Sequence, residues 1–99
     1  MNADRIFDAL ASPARRELLR RLAAAERSTG ELAAALAVTA PAISRHLSIL
    51  ESAGLVTSRR DGQRVLYALV RDTVVDALSA FAAELAPGAG PSRRQRDAI

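Results

Sequence analysis

The chain has 99 residues, 49% hydrophobic and only 3% aromatic, with a net charge of +3 and no cysteine. That predicts one small domain with an aliphatic core, marginal enough alone to make dimerisation plausible, and it excludes a disulfide framework and thiolate metal ligands. No apolar run approaches membrane-spanning length and the start, MNADRIFDAL, reads as a mixed-charge helix and not a signal peptide, so a soluble, intracellular protein with no membrane partner is expected. All 14 basic residues are arginine. The charge excess alone does not argue for nucleic acid; the placement of the arginines has to do so.

Residues 4–10 read as a short first helix with Ile6, Phe7 and Leu10 on one side. Ser12 then caps, and Pro13 opens, a second helix over residues 13–26. Its Leu18, Leu19 and Leu22 face a core. Arg15, Arg16, Arg20, Arg21 and Arg27 point elsewhere, as a solvated face beside Glu17 and Glu26. A DNA phosphate or a partner subunit is the alternative for Arg15 and Arg16.

Ser28-Thr29-Gly30-Glu31 fits a capping box and opens a third helix, residues 29–36, packed through Leu32, Ala35 and Leu36. Ala37-Val38 is the turn into a fourth helix, which makes a helix-turn-helix. That turn has no glycine. A left-handed Ala37 would cost on the order of 1 kcal/mol.

In the fourth helix Thr39 is the cap and Pro41 sits in the first turn. Ile43, Leu47, Leu50 and Ala53 form one apolar stripe, and Gly54 follows where a left-handed cap is wanted. The other face carries Ala40, Ala42, Ser44, Arg45 and Ser48. These are small or hydrogen-bonding residues with one arginine, a face slim enough to enter a major groove about 12 Å wide. Arg45 is the residue best suited to read sequence, because a guanidinium pairs bidentately with guanine. His46 is the only histidine and has no companion constellation, so it points to no catalysis. A half-buried ring bonded to backbone or phosphate is its plainer role, and direct base contact its sharper one.

After Gly54 the period becomes alternating. Residues 55–58 and 65–69 read as two strands, with Val65, Tyr67 and Leu69 on the buried face and Asp61-Gly62 as the turn signal. The hairpin tip, with Arg59, Arg60, Gln63 and Arg64, is a wing or an ordinary solvated end; the wing is favoured because the hairpin directly follows the helix-turn-helix. A last helix, residues 72–86, carries a seam of Val74, Leu78, Phe81 and Leu85 with Val75 and Ala82 beside it. The first helix is too short to cover that seam, which favours a symmetric contact with a second copy over packing within one domain. Residues 1–86 are expected to form the domain, and the Pro/Gly-rich basic segment 87–99 a disordered tail.

The resulting order, α-α-α-α-β-β-α, is mainly helical with a small β-hairpin. The runs ALASPARRELLRRL, GELAAAL, SRHLSILESAGLV and RRDGQRVLYAL resemble the ArsR/SmtB family of winged helix-turn-helix repressors over residues 3 to 85. The resemblance implies a homodimer that sets two recognition helices into successive major grooves of a double-stranded operator, with repression relieved by an effector. It implies dimerisation through the first and last helices, here Ile6, Phe7, Leu10, Val74, Val75, Leu78, Phe81, Ala82 and Leu85. By alignment it places Ala40, Pro41, Ser44 and Arg45 near base edges, and Arg59, Arg60, Gln63 and Arg64 near phosphates or the minor groove. Thr39, Ala42 and His46 complete the candidate DNA surface.

The family's metal patterns are missing. Residues 28–36 have no cysteine and residues 72–86 no histidine, and Asp72, Asp76 and Glu84 read as solvated helical carboxylates. No cofactor is expected and no effector is named. A DNA-binding repressor or autorepressor is the first expectation. A repressor with an unrecognised small-molecule or metal site, or a winged-helix protein-interaction module, are the alternatives.

Overall fold

The computed structural model describes residues 3–86; Met1, Asn2 and the expected basic tail from Pro87 lie outside the described residues. The element order is α1 (Ala3–Leu10), α2 (Pro13–Ala24), β1 (Arg27–Ser28), α3 (Thr29–Leu36), α4 (Ala40–Ser52), β2 (Val56–Asp61), β3 (Arg64–Leu69) and α5 (Arg71–Leu85). The winged helix-turn-helix order is as expected, with one added strand. β1 is too short to leave a periodic signal, yet it pairs antiparallel with β3 (Ser28 opposite Leu66), so β3 is central in a β1-β3-β2 sheet.

The helices start and stop where their caps dictate. The Ser12 hydroxyl accepts the Arg15 amide at 3.2 Å, with Pro13 in the first turn. Ser28 and Glu31 form the reciprocal capping box: the Glu31 amide donates to Ser28 Oγ at 3.1 Å, and the Ser28 amide donates to Glu31 Oε1 at 2.8 Å. α4 ends on Gly54 at φ 80°, where the Gly54 amide donates to the Glu51 carbonyl at 2.9 Å and the Leu55 amide to the Leu50 carbonyl at 3.0 Å. This double bond pattern is a Schellman cap, and its hydrophobic contact is supplied by Leu50 and Leu55, both fully buried.

The core gathers Ile6 and Ala9 of α1, Leu18, Leu19 and Leu22 of α2, Leu32 of α3, the whole Ile43-Leu47-Leu50-Ala53 stripe, Leu55 and Val56. Three expectations need correction. Ala35 is exposed, and it is Ala33 that packs beside Leu32 and Leu36. The hairpin strands run to Asp61 and from Arg64, so the loop is Gly62-Gln63 with Gly62 at φ 67°, and Arg59 and Arg60 sit on β2 and not in the turn. On β3, Tyr67 and Leu69 do pack on the core, but the most buried residue is Leu66 of the opposite face. Leu66 lies in register between Ser28 and Arg59, and the Arg59 side chain reaches across it to Glu26.

The turn between α3 and α4 is strained as anticipated. Ala37 adopts φ 55°, ψ 42°, and the Val38 amide donates to the Ala33 carbonyl at 3.1 Å. The geometry is again a Schellman cap, built without glycine at the left-handed position, where an L side chain costs about 1–2 kcal/mol. Replacing Ala37 with Gly relieves that strain, partly offset by glycine's extra freedom in the unfolded chain. Ala37→Gly is therefore expected to stabilise the domain by about 0.5–1 kcal/mol, a rise of a few degrees in Tm, checked by thermal denaturation.

Candidate nucleic-acid interface

The Ala37 turn bends the chain by 114° between α3 and α4. Helix-turn-helix units cross at about 90–120°. α3 packs beneath, and α4 stands with its apolar stripe inward. Ala40, Pro41, Ser44, Arg45 and Ser48 are all exposed, Ala42 and His46 half-buried, and Thr39 exposed at the N-terminus with its hydroxyl accepting the Ala42 amide at 3.4 Å. Arg45 has no hydrogen bond or ion pair of its own among the described residues. The sequence-derived face is thus presented as one surface: short side chains and a single unengaged guanidinium.

His46 is half-buried beside Pro41, Ala42 and Arg45, and it also meets α2. Arg15 Nη1 lies 3.4 Å from His46 Nδ1. A guanidinium can only donate, so Nδ1 accepts and the ring proton sits on Nε2. Burial, followed by the nearby Arg15 and Arg45 charges, holds the imidazole below its ordinary pKa, so it is neutral at neutral pH.

The wing arginines are not equivalent. Arg59 donates from Nη2 to Glu26 Oε1 at 2.7 Å and from Nε to Glu26 Oε2 at 3.2 Å, a bidentate pair that lowers the Glu26 pKa and raises that of Arg59. Arg64 reaches Asp61 at 3.5 Å and Glu31 at 3.7 Å. Arg60 and Gln63 are exposed, and among the described residues neither has an ion pair or side-chain hydrogen bond. Of the four wing positions marked in sequence, two are therefore partly neutralised by the domain's own carboxylates. Those ion pairs are solvent-exposed, and exposed pairs contribute little, so a phosphate can compete for the same arginines.

The nine candidate dimer residues also divide. Ile6 is 3% exposed and belongs to the monomer core, while Leu10 and Val74 are half-buried and pack partly against that core. Phe7 is half-buried, its ring 5.2 Å from that of Phe81 and tilted by 60°. Val75, Leu78, Phe81 and Leu85 remain exposed at 50%, 47%, 45% and 65%, with Ala82 also exposed beside them. Among the described residues, no group of three or more His, Cys, Asp or Glu side chains is placed to hold a metal ion, and no single helix is long and apolar enough to cross a membrane.

Sequence reasoning missed the work done by Arg15 and Arg16. Arg15 donates from Nε to the Ala9 carbonyl at 2.8 Å and from Nη2 to the Asp8 carbonyl at 3.2 Å, and Arg16 donates to the Leu10 carbonyl at 2.8 Å. These bonds were not among the roles first considered, a solvated face or contact with a DNA phosphate or a partner subunit. The available signal was α1 itself. It has no basic residue in its last turn, and helix-terminal carbonyls need donors from somewhere.

Comparison with known proteins agrees with this geometry. Residues 12–58 match the model of the bacterial regulatory protein, arsR family. The chain is 42% identical over 97 residues to the HTH-type transcriptional regulator KmtR of Mycobacterium tuberculosis, covering 94% of this chain and 72% of that one. It is 43% identical over 67 residues to the HTH-type transcriptional repressor SmtB of the same species, covering 68% of this chain; it spans about half, 50%, of that repressor's length. The homodimeric winged helix-turn-helix DNA-binding domain of a Mycobacterium bovis regulator superposes with a TM-score of 0.70 at 30% identity, covering 82% of this chain and 76% of that one. With its fold, its helix-turn-helix and more than two thirds of a relative's length matched, the chain belongs to the arsR family of bacterial regulatory proteins.

Proposed function

We propose that this protein is a cytoplasmic, homodimeric transcriptional repressor that binds double-stranded operator DNA, with one α4 in each of two successive major grooves. The observation that carries the reading is the α4 face. Its exposed residues are short enough for the backbone to approach base edges, and Arg45 stands unpaired in their midst. Arg60 on the adjacent hairpin supplies a second unpaired cation for the phosphate backbone. The exposed Val75-Leu78-Phe81-Leu85 stripe of α5 supplies the self-complementary apolar surface of a twofold dimer. Selecting duplexes from a random-sequence pool tests the reading directly. Enrichment of a pseudo-palindrome with half-sites about one DNA turn, ~34 Å, apart is expected, and a pool that stays random overturns it.

Three variants separate the parts. Arg45→Ala is expected to reduce the preference for the selected duplex over unrelated DNA by about 1–3 kcal/mol, measured by competition binding. Arg60→Ala should weaken selected and unrelated DNA alike, and reduce the slope of log affinity against log salt by about one; Arg59→Ala, starting from a guanidinium shared with Glu26, should change the slope less. Leu78→Glu places a charge in the apolar stripe and is expected to shift the protein from dimer to monomer in sedimentation, with loss of cooperative binding to the two half-sites.

A further inference from the structure

Arg15 touches three elements at once. Its backbone belongs to α2, its Nε and Nη2 hold the last carbonyls of α1, and its Nη1 meets His46 on α4. The contact falls at the middle of α4, one residue from Arg45 and five from Pro41. At its other side α1 carries Phe7, its ring tilted against that of Phe81 in the exposed apolar stripe. The guanidinium is therefore the polar joint between the helix that reads DNA and the helix that leads to the dimer face.

We infer that the Arg15–His46 contact is a positioning device for DNA recognition: it fixes the angle at which α4 is presented, and so the fit of the paired recognition helices to two half-sites. This rests on the DNA-binding reading above. The leucine stripe fixes how far α4 sits from the core, but apolar contacts are non-directional and tolerate small rotations. A planar guanidinium held by two carbonyls is a fixed reference, and a single acceptor aimed at it removes that freedom. His46 suits the role because its neutral Nδ1 accepts, while the Arg45 side chain beside it is left free to point outward. Arg15 is already anchored by α1, so little further side-chain freedom is lost when it meets the ring.

The joint is sensitive to protonation. The charged groups acting on the ring are Arg15 from α2 and Arg45 from α4 itself, both cationic, and no carboxylate of α1, α3 or β2 acts on it. An imidazolium has no acceptor for Arg15 and is repelled by it. The contact is present above the lowered imidazole pKa and lost as pH falls through it.

The test uses the full chain, a duplex selected by the wild type from a random pool, and a scrambled duplex of equal composition. The readout is the ratio of the two Kd values, together with Tm and sedimentation. His46→Leu keeps both Arg15–carbonyl bonds and removes only the acceptor. It is expected to lower the ratio about tenfold with dimerisation unchanged. His46→Asn puts an oxygen where Nδ1 stood and should stay within about twofold of wild type. Lowering the pH from about 7.5 to about 5 should erode the wild-type ratio and leave that of His46→Asn flat, a response that a merely space-filling ring would not give. Arg15→Ala is the harsher variant, because it also uncaps α1; its Tm loss measures that second role. If His46→Leu keeps the full ratio, or if the wild-type and His46→Asn ratios follow pH in the same way, the joint does not position α4. If the wild type itself does not prefer its selected duplex, the DNA reading fails and this inference with it.

Discussion

Burial of Ile43, Leu47, Leu50 and Ala53 decides which face of α4 turns outward, and the rest of the molecule is arranged around that constraint. At 3.6 residues per turn, a helix that turns those four inward must turn Ala40, Ser44, Arg45 and Ser48 outward. Each fully buried leucine contributes about 1.5–3 kcal/mol relative to exposure, far more than any exposed ion pair on this surface. The tight ends of α4 complete the constraint. A strained left-handed Ala37 sets its entry and a left-handed Gly54 its exit, so the helix can neither slide nor lengthen without losing a cap.

The arginines show why a modest net charge says so little. Arg20 and Arg21 are shared by one carboxylate, Glu17, and Arg15 and Arg16 by the C-terminal carbonyls of α1. Arg59, opposite Leu66 on β2, reaches Glu26, and Arg71 reaches the Ala23 carbonyl at 3.5 Å. In this domain arginine is first a structural donor, long enough to close helix ends that have no glycine or lysine nearby. Arg45 and Arg60 stand out for the opposite reason. They sit on the two elements that protrude, and nothing in the described residues answers them.

Much of this was legible in the sequence because it was written in local code. Caps at Ser12, Ser28 and Thr39, the stripe on α4 and Gly54 at its exit depend on neighbours within one or two turns, and each was found at its place. What escaped depends on the third dimension. The two-residue β1 exists only because β3 lies beside it. The hairpin loop shifted by one residue because Gly62, and not Asp61, takes the positive φ. Ile6 looked like an interface residue because an apolar position on a short helix carries no mark of which neighbour, own or foreign, will cover it; here its own core does. Arg15 was hardest, since its partners lie on an earlier and a later helix.

The division of α5 into two faces ties the parts together. Val74 and Ala77 pack on the core while Val75, Leu78, Phe81 and Leu85 look away from it, so the same helix is at once floor of the monomer and, in the proposed dimer, wall of the partner. Burying that outer stripe would remove apolar surface from water on both copies simultaneously, and the gain scales with area. It would also convert α1 and α5 into a fixed frame. From that frame to α4 the connection runs through packed leucines and one guanidinium. A repressor that reads two half-sites needs the distance between its reading helices held to a fraction of a groove width. Leucine packing supplies the depth of α4 in that frame and decides which face looks out, and in the inference above the polar joint at Arg15 trims the remaining rotation that non-directional contacts allow.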